Sequence, residues 1–143
     1  MKIFGAALII SGGFFLGKGV SDHWKKRLEV INGLYDIFSS FDLKLRKERI
    51  SPDDFFSNQG ELGAKILACD AMEGIKDDEM KCLRRHLECL RKNSHREAVV
   101  ANETYIAQLK QTVEKIKEEV DSSGKAFPLM SVAGGILLVV ILI

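Results

Sequence analysis

Hydrophobic positions fall into three regimes along the chain. Residues 3–17 and 127–143 carry no charge, whereas the stretch between them mixes apolar and charged positions at steps of three and four. The closing run, FPLMSVAGGILLVVILI, covers about 25 Å as a helix, near the lower limit for crossing a bilayer's hydrocarbon. Burying it in a water-soluble core would need a large partner surface on every side, which a chain of 143 residues with 29% charged residues has little of to spare. It reads as a transmembrane helix. The opening run, IFGAALIISGGFFLG, is slightly shorter and gains reach if Lys2 and Lys18 extend outward. A secretory signal would end in a small-residue cleavage site, but Lys18, His23, Trp24, Lys25, Lys26 and Arg27 follow here, so a retained span is expected.

The central stretch predicts helices throughout. From residue 22 to 49 the stripe Leu28, Ile31, Leu34, Tyr35, Phe38, Phe41 and Leu45 is broad enough to engage more than one partner helix, and it is the expected interaction helix. Either it continues from the first span, or Ser21 and Asp22 cap a fresh start. Trp24 suits an interfacial anchor and equally the first core position. Ser51-Pro52-Asp53-Asp54 is an N-cap, a proline at the first helical position and two acids in the first turn, opening a short helix that carries Phe55 and Phe56. A third helix is expected through Leu62, Ile66, Cys69 and Met72 to a stop at Gly74, and a fourth, capped by Asp77 or Asp78, has Met80, Leu83, Leu87 and Leu90 inside. Ser94 with Glu97 is a capping box for a long fifth helix carrying Ile106, Leu109, Val113, Ile116 and Val120. Ser122, Ser123 and Gly124 predict a break, and a hinge, before the last run. The expected fold is therefore all-α and membrane-anchored: a transmembrane helix over 1–20, a helical domain over 21–126 and a second transmembrane helix over 127–143.

Charge orients this layout. All 20 acids and every base except Lys2 and Lys18 lie in the middle, and Lys18, Lys25, Lys26, Arg27, Lys115, Lys117 and Lys125 flank the spans on the central side. The positive-inside tendency then makes the central domain cytoplasmic. A formal net charge of +1 gives no reason to expect nucleic acid as a partner. Gly13 with Gly17, and Ser131 with Gly135, are small-xxx-small pairs that allow close helix packing in the membrane, although glycine is also simply tolerated there.

Candidate chemistry changes the picture little. Cys82, His86 and Cys89 share one helix, but Cys82 and Cys89 lie about 10.5 Å apart along it while zinc holds each ligand within about 2.3 Å. A solvated His86 beside structural cysteines is the plainer reading. No glycine-rich phosphate loop, HExxH or GxSxG element occurs, so no cofactor, metal or catalytic residue is expected, and nucleotide hydrolysis would belong to another chain.

Three features resemble the stage III sporulation protein AB family: a short glycine-bearing span leading into HWKKRLEVINGLYDIFSSFDLKL, the helix start at Ser51-Pro52, and the terminus SVAGGILLVVILI. That family is similar to the inner-membrane platform proteins of type II secretion. The resemblance implies a non-enzymatic membrane component of the secretion-like channel joining mother cell and forespore. It would sit in the mother-cell membrane, with a cytoplasmic secretion-type ATPase and small polytopic membrane proteins as partners. Two other readings stand beside it: a secreted or membrane-anchored helical binding protein, and a small metal or redox protein using Cys69, Cys82 and Cys89.

Overall fold

A computed structural model of the protein describes residues 2–142, with side chains described for 18–122 and for residues 12, 125, 129, 132, 133 and 136 outside that range. The chain is all-helical. Five helices run in order, α1 over Lys2–Glu48, α2 over Pro52–Ser57, α3 over Gly60–Ala68, α4 over Asp77–Lys92 and α5 over His95–Leu142. They divide into two compact units: Arg27–Glu114, here called the body, and a second unit made of Met1–Lys26 with Lys115–Ile143.

The body is built around an aromatic cluster. Phe38 and Phe41 of α1 meet Phe55 and Phe56 of α2 with ring centroids between 5.1 and 5.3 Å apart, in the tilted and edge-on arrangements that aromatic quadrupoles favour. Ile66 of α3, Leu83, Leu87 and Leu90 of α4, and Tyr105, Leu109 and Val113 of α5 close the core around it. α2 exists because its first turn is locally satisfied: the Asp54 backbone N–H donates to Ser51 Oγ at 3.2 Å, and Pro52 forfeits only a donor that would have had no partner. α3 folds back tightly on α2. A β-carbon at Gly63 would overlap the Phe56 carbonyl oxygen, so only glycine allows that approach.

Three expectations from sequence are corrected. α3 ends at Ala68, well before Gly74, because Cys69 turns left-handed at φ 51° and its N–H closes on the Ile66 carbonyl; Met72 is buried although it lies in no helix. α4 starts at Asp77 with Lys76 as its cap residue, and the Glu79 carboxylate takes the Lys76 N–H at 2.9 Å. α5 passes through Ser122, Ser123 and Gly124 without a break, so the expected hinge is absent. Ser122 directs its hydroxyl to the Glu119 carbonyl within the same helix instead of capping a new one. One interior glycine costs about 1 kcal/mol, which the cooperativity of a long helix absorbs. α1 is likewise continuous, and Ser21 and Asp22 cap nothing.

In the second unit, Lys18, Lys25, Lys115, Lys117 and Lys125 are exposed, Trp24 is half-buried beside His23, and Leu129 and Ile136 stand open. Most of the two uncharged runs, including Gly13, Gly17, Ser131 and Gly135, lies outside the residues whose side chains are described. Among the described residues no helix is long and apolar enough to cross a membrane.

Candidate functional site

The stripe singled out as an interaction helix is largely consumed inside the body. Ile31, Leu34, Phe38, Phe41 and Leu45 are buried, and Leu28 and Tyr35 are half-buried. For the five buried residues the partner helices are this chain's own, and a partner protein would reach α1 through other positions. The breadth of the stripe is explained at Phe38, whose ring meets Phe56 of α2, His86 of α4 and Tyr105 of α5 within 5.5 Å.

Two polar arrangements inside the body escaped the sequence pattern. The first centres on Asn102, which is wholly buried. Its amide nitrogen donates to the Phe38 carbonyl at 3.3 Å and to Asp42 Oδ1 at 3.2 Å, while its amide oxygen lies 3.3 Å from His86 Nε2. Since that oxygen can only accept, the network assigns the imidazole proton to Nε2. His86 also stacks on Tyr105, with centroids 4.2 Å apart and planes at 22°. Burial depresses the His86 pKa to about 4, partly offset by the hydrogen bond to Asn102, so the ring is neutral near pH 7. Burial likewise pushes the Tyr105 phenol well above its ordinary range. The expectation of a solvated His86 is therefore corrected. A sequence signal did exist: Asn102 falls on the α5 core stripe between Ala98 and Tyr105, and His86 shares the α4 face of Leu83 and Leu90.

The second arrangement is a clasp. Arg27, grouped by sequence with the basic membrane flank, is buried in the body and grips Glu79 in bidentate fashion at 2.6 and 2.9 Å while donating to the Gly74 carbonyl at 2.7 Å. Gly74, at φ 91°, would bring a β-carbon within 3.1 Å of Arg27 Cα, so glycine serves both the turn and the close approach. The clasp ties the α3–α4 connection and the start of α4 to α1. Glu79 thereby serves two donors at once, the guanidinium and the helix cap at Lys76.

The cysteines are not brought together as a site. Cys82 is exposed, Cys69 and Cys89 are half-buried, and all three are unpaired thiols. Cys89 accepts a hydrogen bond from Asn93 Nδ2 at 2.9 Å. His86 Nε2 is committed to Asn102. Among the described residues no group of three or more His, Cys, Asp or Glu is placed to hold a metal ion. What these polar groups do is hold α1, α4 and α5 in fixed register, leaving the exposed faces of those helices as the surface on which a partner could act. Comparison with protein-family models, with curated proteins and with solved structures finds no match to this chain.

Proposed function

We propose that the chain is a non-catalytic structural component of a secretion-like channel complex between mother cell and forespore. In this reading the two uncharged runs are transmembrane helices in the mother-cell membrane, and the body is a cytoplasmic platform for a secretion-type ATPase and small polytopic membrane proteins. The observation that carries it is the placement of the uncharged runs on the same unbroken helices, α1 and α5, that supply the body's core. The basic flanks Lys18, Lys25, Lys115, Lys117 and Lys125 and the sequence resemblance described above point the same way. A load applied to the body would travel along α1, with no hinge required in α5.

The test is made in sporulating cells. Full-length chain should stay in the membrane pellet after alkaline extraction, a tag inserted at the α4–α5 turn should be protected in intact cells, and the ATPase should co-purify with it. An intact mass that includes Met1 would separate this reading from a cleaved, secreted binding protein. Release into the aqueous fraction at alkaline pH would end it.

A further inference from the structure

Where α1 ends and α2 begins, the body faces the turn joining α4 to α5 across a groove of about 410 Å³. Its floor is apolar, with Leu45 and Leu90 at the bottom and half-buried Ile50 and Pro52 along one side. Its rim carries Arg49, Arg91 and His95. Among the described residues lining it the only carboxylate is Asp53, which Arg91 holds with Nη2 at 2.6 Å and Nε at 3.2 Å. That pair neutralises itself. The side chains of Arg49 and His95 make no hydrogen bond or ion pair among the described residues.

Arg49 is also unusual in its backbone. It follows the last residue of α1 at φ 49°, the left-handed conformation that glycine adopts at helix ends with little penalty and that a side chain makes costly. An arginine here gives up backbone ease and sets an uncommitted guanidinium at the mouth of an apolar groove. The fork of that group matches a carboxylate in bidentate geometry.

We propose that this groove binds an acidic segment of a partner protein. One carboxylate seats on Arg49, and a neighbouring apolar side chain lies over Leu45 and Leu90. A bilayer surface fits less well, because a broad anionic plane would meet Asp53 and Asp54 together with the cations, whereas a single extended segment reaches Arg49 alone. The groove lies wholly within the body, so the proposal stands or falls independently of the membrane reading.

Purified full-length chain in detergent solution is panned against a random peptide library displayed on phage, and enriched sequences are synthesised with a fluorescein label and titrated by anisotropy. Enrichment of Asp or Glu beside Leu, Ile or Phe is expected. Affinity should fall about tenfold in Arg49→Gly, the loss of one charge-assisted contact, and by a smaller factor in Arg49→Lys, which keeps the charge but not the fork. The Tm of Arg49→Gly should match or exceed that of the parent, which separates a lost contact from a lost fold. Several results would each overturn the proposal: no enrichment, neutral or basic winners, binding indifferent to Arg49→Gly, displacement of the peptide by phosphatidylglycerol vesicles, or a self-associated chain that dissociates in Arg49→Gly.

Discussion

His86 shows how far one buried ring can set the response to acid. In the unfolded chain it takes a proton near its ordinary pKa of 6.5, whereas in the body it resists protonation until about pH 4. Acid therefore favours the unfolded chain. Stability from this group is complete above about pH 7, erodes as pH falls from 6.5 to 4, and by pH 5 has dropped on the order of 2 kcal/mol. His86→Gln keeps a donor for the Asn102 oxygen but has nothing to titrate, so it isolates the effect from that of the carboxylates. Urea midpoints at pH 7.5 and pH 5 should separate more for the parent than for the variant, and equal separations would show that the ring is not the source. A sequence reading missed the pair because Asn102 and His86 lie on different helices. Each carries a local sign of burial in its place on an apolar helix face, but nothing local names the other as its partner.

At the scale of elements, legibility followed locality. The starts of α2 and α5 could be read because Ser51, Pro52, Ser94 and Glu97 act within one turn: the Ser94 N–H donates to Glu97 Oε2 at 3.0 Å, as the spacing implied. The end of α3 and the continuity of α5 could not. One is decided by the left-handed turn of a cysteine at Cys69, a conformation that side chains seldom adopt, and the other by the cooperativity of a long helix. The α2–α3 corner gives the sharpest test of packing. Gly63→Ala places a methyl group against the Phe56 carbonyl, and since backbone must move to admit it, a loss of about 3 kcal/mol is expected in urea unfolding. Ala64→Gly is exposed one position along the same helix and should cost only about 1 kcal/mol. If the two variants unfold alike, the corner is looser than described.

For the whole molecule, the all-helical class followed from periodicity, and the stripe Ile31, Leu34, Phe38, Phe41 and Leu45, expected to meet partners, forms one wall of the chain's own core. What periodicity could not supply was the other side of that wall, because an apolar stripe asks for cover without saying whether it comes from the same chain or another. Here the same chain answers. The division into two units has a practical counterpart in the chromophores. The single tryptophan, Trp24, belongs to the unit of Met1–Lys26 with Lys115–Ile143, while both tyrosines, Tyr35 and Tyr105, belong to Arg27–Glu114. In vesicles containing brominated lipid, Trp24 emission should be quenched while Tyr105 is untouched, and an unquenched indole would leave that unit without contact with acyl chains. Light absorbed at the red edge of the spectrum, where only indole responds, therefore interrogates one unit, and tyrosine ellipticity the other, so each can be followed through melting without labels.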